Sequence, residues 1–195
     1  LYKPFSEITR TSLLHALEES GVSLDDEAIT NLMKAYDNLG TFDEVPSTLD
    51  SLRDSSTIDA YVFSNGTHAM VSSSVNQSPS LSKFSAVFKD LITIEEVEVY
   101  KPDPKVYTHL VKKVGKDPES EEERGSVWLV SGNPFDVVGA RAAGLKAAWV
   151  DRRGHHGKGG WSDRLGDLAS GGPTIVVKGV DAAVEGIEKY AKEYK

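Results

Sequence analysis

The sequence contains no cysteine. That absence excludes both a disulfide framework and thiolate chemistry. Long hydrophobic runs are also missing: no stretch approaches the roughly 20 apolar residues that span a bilayer. Nor does the chain open on a charged-then-apolar leader. Basic residues are in deficit, with 22 Lys and Arg against 30 Asp and Glu and a net charge of −8. That balance argues against a nucleic-acid-binding surface, which needs clustered cations to neutralise phosphates. It does not exclude a small anionic substrate, because a local cluster can oppose the global sign. The default reading is a soluble, cytoplasmic protein with neither a nucleic-acid nor a membrane partner.

At 195 residues, 39% hydrophobic and 27% charged, the chain can bury one ordinary core with a small appendage. The first 40 or so residues read as helical. In "FSEITRTSLLHALEESG", Ile8, Leu13, Leu14 and Leu17 share a helical face, with Ser6 as the cap and Gly21 as the stop. In "SLDDEAITNLMKAYDNLG", Ile29, Leu32, Met33 and Tyr36 repeat the spacing between Ser23 and Gly40. These predict an antiparallel helix pair, followed by a short third helix near Pro46.

From about residue 57 the pattern changes to strands separated by helices. "DAYVFSNG", "FSAVFKDLIT", "VEVYKP", "SVWLVSG", "KAAWVD" and "TIVVKG" supply short apolar segments. "DAAVEGIEKYAKEYK" closes the chain as an amphipathic helix. The fold class this predicts is α/β, a parallel sheet covered on both faces. Ligands in such sheets sit beyond the carboxyl ends of the strands. "KDPESEEERG" and "RRGHHGKGGWSD" read as solvated loops.

Three segments put polar residues at those ends. Ser64, Asn65 and Gly66 follow one strand and precede a helix, so hydroxyl, amide and helix N–H groups can face an anion; a plain turn with Ser64 as a cap explains them equally well. In "YKPDPKVY", Lys101 stands between an apolar segment and a helix begun at Pro104, and Tyr107 lies one turn further on. The bland alternative is a surface lysine beside a core tyrosine. In "VSGNPFD", Asn133 caps a helix with Pro134 at its first position, and Asp136 sits in the first turn, where a carboxylate also favours the helix dipole. Convergence of the three segments on one crevice is what argues against capping alone.

Together, "SNG", "YKPDPKVY" and "SGNPFD" resemble the haloacid dehalogenase superfamily, and more narrowly its (S)-2-haloacid dehalogenases. The resemblance covers nearly the whole chain. It implies a Rossmann-like core over residues 42–195 and part of a helical cap domain over residues 1–41. It also implies roles. Ser64 and Asn65 would bind the substrate carboxylate and the region of the departing halide. Lys101 would keep a nucleophilic aspartate ionised. Ser131 and Asn133 would organise that carboxylate, while Tyr107 and Phe135 would line the pocket. Asp136 would order Lys101 and the hydrolytic water. The implied reaction is displacement of halide by a carboxylate, followed by hydrolysis of the resulting ester. The substrate would be a 2-haloacid, and homodimers are common in the family.

Phosphatases of this superfamily place a second acidic residue four positions before the equivalent of Asp136, for Mg²⁺. Here that position is Gly132. One carboxylate beside Ser131 and Asn133 is a poor hard-cation site, so neither a metal nor a cofactor is expected. The adjacent His155 and His156 carry no acidic partner at ligand spacing and are read as part of a basic loop.

One departure stands out. The family's nucleophile lies on a central strand ahead of the cap, and a cap segment supplies an arginine for the halide. Neither is found here, and the chain opens at Leu1. The expectation is therefore the latter part of a longer protein, with an interrupted sheet. Each backbone group left unpaired at the gap would cost on the order of 1–3 kcal/mol. A magnesium-dependent phosphatase and a non-catalytic binding protein on the same scaffold are the alternatives.

Overall fold

The computed structural model describes residues 1–152, 161 and 163–193. They fall into two compact units, Leu1–Glu98 and Val99–Lys195, each described here by itself.

In the first unit, helix α1 (Phe5–Ser20) ends at Gly21, whose φ of 68° is the left-handed stop expected there. Its start differs from expectation. Pro4 occupies the cap position and no side chain caps the helix, so Ser6 lies inside it. α1 buries none of its residues, and Ile8 and Leu14 remain exposed; the expected helix pair has no buried seam on this side. Helix α2 (Asp26–Ala35) begins at Asp25 rather than Ser23, because the Asp25 carboxylate accepts from Ala28 N. It gives way to a 3₁₀ turn at Tyr36–Asn38, short of Gly40. Helix α3 (Val45–Arg53) carries Pro46 in its first turn. Its Leu49 packs with Phe84 and Val87 as a small core.

Strand β1 (Ala60–Ser64) pairs in parallel with β2 (Phe88–Thr93), with a register shift between Ala60 and Val62. Helix α4 (His68–Gln77) connects them, capped by Thr67, whose hydroxyl accepts from Met70 N.

The segment after β2 departs from expectation. "VEVYKP" is not a strand: after the 3₁₀ turn Ile94–Glu96 the N–H groups of Val97 and Glu98 both return to Ile94 O. Glu98 then takes a left-handed φ of 52°. These bonds commit the backbone to a turn, and Pro102 and Pro104 have no N–H to offer a ladder. Helix α5 (Pro104–Lys113) starts at the proline as predicted, with the Asp103 carboxylate accepting from Lys105 N. The acidic stretch read as a loop contains helix α6 (Glu121–Ser126). Ser120 caps it, and three glutamates in its first turn favour its dipole.

Strands β3 (Trp128–Ser131), β4 (Lys146–Val150) and β5 (Ile175–Val177) form a parallel sheet in that order. β4 is central, and Ala147, Ala148, Trp149 and Val150 are all buried, the near-continuous apolar run of a strand covered on both faces. Helix α7 (Pro134–Ala142) follows β3 and stops ahead of Gly144, which has a φ of 84°. Helix α8 (Arg164–Ser170) was not foreseen, and α9 (Val180–Glu193) closes the chain. Trp128 of β3 meets Tyr190 of α9 edge-on, 5.2 Å between centroids.

Among the described residues β1–β2 and β3–β4–β5 form two ladders. Among the described residues no helix is long and apolar enough to cross a membrane. His155 and His156 lie outside the described residues.

Candidate functional site

In the second unit Lys101 and Ser131 meet the carboxylate of Asp136, and Asn133 is tied to Ser131 through its backbone N–H. Asp136, in the first turn of α7, is buried, and its Oδ1 lies 3.2 Å from Lys101 Nζ. Both side chains are almost fully enclosed, at 6% and 7% exposure. The contact is an ion pair. The other oxygen is satisfied conventionally, since Ser131 Oγ donates to Asp136 Oδ2 at 2.8 Å. Ser131 Oγ also accepts from Asn133 N at 3.1 Å. One hydroxyl at the end of β3 therefore fixes both the turn and the carboxylate.

Asn133 holds the cap position of α7 with extended backbone, but its side chain makes no cap bond. The side-chain amide, exposed to solvent, is not consumed by the helix start. Asp136 is no simple cap either, since its oxygens are turned to Lys101 and Ser131. Lys101 reaches this carboxylate from a turn eight residues beyond β2, not from the end of a strand. Phe135 is half-exposed at 46% and does not join the buried group.

Tyr107, one turn into α5, is fully buried, and its hydroxyl donates to the backbone oxygen of Asp136 at 3.4 Å. Burial, and next the negative charge of Asp136, push the phenol well above its usual range. A tyrosine whose folded pKa is raised holds its proton when the unfolded chain, near pH 10, has released it. Its contribution to stability is complete below pH 10 and is lost as pH rises above that value. Tyr107→Phe should therefore flatten the alkaline fall in stability by up to about 1.4 kcal/mol per pH unit. Denaturant titrations of both proteins between pH 9 and 11 read the difference; identical slopes would contradict it.

Ser64 and Asn65 belong to the first unit, at the carboxyl end of β1. Ser64 Oγ accepts from Gly66 N at 2.9 Å, so Ser64 shapes the turn while Thr67 caps α4. The start of α4 has a further occupant: His68 N donates to Glu95 Oε2 at 2.5 Å. The helix terminus expected to face an external anion already holds an internal carboxylate.

Two residues at the second unit's site went unread. Gly139 allows α7 to approach Tyr107, and Trp149 donates its indole N–H to Gly132 O at 3.2 Å. For Trp149 the available signal was an amphipathic side chain at the end of an otherwise apolar strand.

Residues 5–144 match the family model described as haloacid dehalogenase-like hydrolase. An (S)-2-haloacid dehalogenase of Pseudomonas fluorescens is 30% identical over 152 residues, which are 78% of this chain and 62% of that protein. One of Pseudomonas putida is 31% identical over 153 residues, 78% and 63% respectively. The chain thus spans about 62% of the length of the curated relatives it matches. Among solved structures, L-2-haloacid dehalogenase of Xanthobacter autotrophicus covers 96% of this chain and 77% of its own, with a TM-score of 0.77 at 22% identity. The same enzyme with chloropropionic acid covalently bound gives a TM-score of 0.74 at 22% identity, with the same coverage. These structures share the α/β fold.

Proposed function

From a chain that belongs to the haloacid dehalogenase-like hydrolase family, we propose a protein that hydrolyses (S)-2-haloacids to 2-hydroxy acids. The observation that carries this reading is the enclosed Lys101–Asp136 pair with Ser131 on the second oxygen. Residues 42–195 form the hydrolase core and residues 1–41 part of a helical cap.

The chemistry runs in two steps. A carboxylate nucleophile, which the chain's described site does not supply, attacks the halogen-bearing carbon in line. A C–O bond forms, the C–X bond breaks, and halide departs with the bonding pair. Water then attacks the carbonyl carbon of that ester, releasing the 2-hydroxy acid and regenerating the carboxylate. Lys101 holds the nucleophile ionised and offsets the accumulating negative charge, and Asp136 fixes the ammonium. Asn133, whose amide is exposed, orients the nucleophile's oxygens together with Ser131, Ser64 and Asn65 take the substrate carboxylate, Phe135 supplies an apolar wall, and the buried Tyr107 holds the Asp136 backbone. A structure of this fold with chloropropionic acid covalently bound accords with a covalent intermediate.

Gly132, in place of a second acid, favours displacement without a hard cation over phosphoryl transfer. The test uses the natural full-length protein with (S)-2-chloropropionate in the presence of EDTA. Halide release is expected. Phosphate release from p-nitrophenyl phosphate that depends on Mg²⁺, with no halide release, would replace this reading with a phosphatase.

A further inference from the structure

In the turn Ser131–Gly132–Asn133 the carbonyl of Gly132 takes no part in the catalytic proposal. Trp149 Nε1 donates to it at 3.2 Å. Trp149 lies directly opposite Ser131 in the β3–β4 register and is 5% exposed. Its ring is braced edge-on by Trp161, 5.2 Å between centroids at 84°. Trp161 is in turn fixed by α8, donating its own indole N–H to Asp167 Oδ1 at 2.7 Å.

We infer that Trp149 is a positioning residue: its indole N–H, bonded to Gly132 O, sets the turn through which Ser131 orients the Asp136 carboxylate. The turn needs such a fastening. Gly132 has no side chain, and a Cβ added there would meet only Val150 O, at an ordinary 3.5 Å, so packing does not pin it. Gly132 and Asn133 are both exposed. Among the described residues the turn's other side-chain tie is Ser131 Oγ, which takes Asn133 N and gives to Asp136 Oδ2. That hydroxyl can serve both partners only while the peptide between Ser131 and Asn133 keeps one orientation. Holding the Gly132 carbonyl from the neighbouring strand does this, and the edge-on contact with Trp161 denies the indole other rotamers. The path from α8 to the site is thus Asp167, Trp161, Trp149, Gly132 and then Ser131. A purely space-filling Trp149 would need only its ring.

Positioning of the turn stands on geometry alone; its consequence for turnover rests on the dehalogenase reading. Trp149→Phe keeps an aromatic ring against Trp161 and deletes the N–H. Amide hydrogen exchange is followed in the full-length protein at Asn133, with Ala147 and Ala148 of β4 as internal controls. Loss of one neutral hydrogen bond should speed exchange at Asn133 about five- to tenfold and leave the controls unchanged. Trp161→Phe should produce a smaller increase. In the unsubstituted protein the Trp149 indole N–H should itself be protected, a reading that does not depend on any variant folding. Unchanged exchange at Asn133 in a folded Trp149→Phe protein, or an indole N–H that exchanges as freely as one in water, overturns the inference. With (S)-2-chloropropionate, Trp149→Phe should lower kcat five- to tenfold with KM within twofold, whereas a space-filling role would lower only thermal stability. A loosened turn in a protein that turns over no haloacid leaves the positioning intact and removes the dehalogenase reading.

Discussion

Gly139→Ala is expected to destabilise the second unit by about 3 kcal/mol and lower its melting temperature by on the order of 10 °C. In the middle of a helix this substitution ordinarily stabilises by about 1 kcal/mol, through propensity. Here packing decides the sign. A Cβ at residue 139 would sit 2.1 Å from Tyr107 Oη, 2.6 Å from Tyr107 Cζ and 2.8 Å from Pro102 Cβ. None of these atoms can yield cheaply. Tyr107 is fully buried with its hydroxyl on the Asp136 backbone, and Pro102 is part of the turn that presents Lys101. Relief requires α5 and α7 to separate, which also moves the two segments that carry the ion pair. Denaturant unfolding of Gly139→Ala measures the cost. Adding Tyr107→Ala, which removes the opposing ring, should lower the cost of the alanine at 139 in that background and leave only the part due to Pro102 Cβ at 2.8 Å. A Gly139→Ala protein as stable as the parent would mean that the two helices are not in this contact.

The contrast between Gly139 and Lys101 indicates how much of the site was legible. Lys101, Ser131, Asn133 and Asp136 stand beside prolines, glycines and strand ends, where backbone chemistry restricts conformation, so one-dimensional reading reached them. Gly139 takes its importance from Tyr107, 32 residues earlier, and no local pattern marks it. Trp149 is similar: β4 was readable as an apolar strand, but the donor–acceptor match to Gly132 depends on the parallel register of β3 and β4.

Errors in the fold have the same origin. Composition alone made "KDPESEEERG" a loop, although Ser120 followed by three glutamates is a helix start when its cap bond to Glu123 N forms. Periodicity alone gave α1 a core face, yet α1 buries no residue. An amphipathic face predicts a helix more securely than it predicts what the helix packs against. "VEVYKP" has strand-like alternation, which lost to the two N–H groups returning to Ile94 O.

The largest effect on turnover is expected from Lys101→Met, and the same variant separates folding from chemistry. Methionine fills similar volume but leaves the Asp136 carboxylate enclosed without its counter-charge. Removing one partner of a buried ion pair costs about 3–5 kcal/mol, because the remaining charge keeps its desolvation penalty. Asp136→Asn in the same background removes that charge while leaving an oxygen for Ser131 Oγ to donate to. The double variant should therefore recover most of the lost stability. It should not recover activity. If the ammonium stabilises negative charge in the reacting complex, both proteins lose at least about 10²–10³ in kcat for (S)-2-chloropropionate. Denaturant midpoints and halide-release assays on the parent, the single and the double variant make the distinction. A double variant that is stable and also turns over substrate would reduce Lys101 to the counter-ion of Asp136. A single variant as stable as the parent would show the carboxylate to be solvated, which its 6% exposure does not permit.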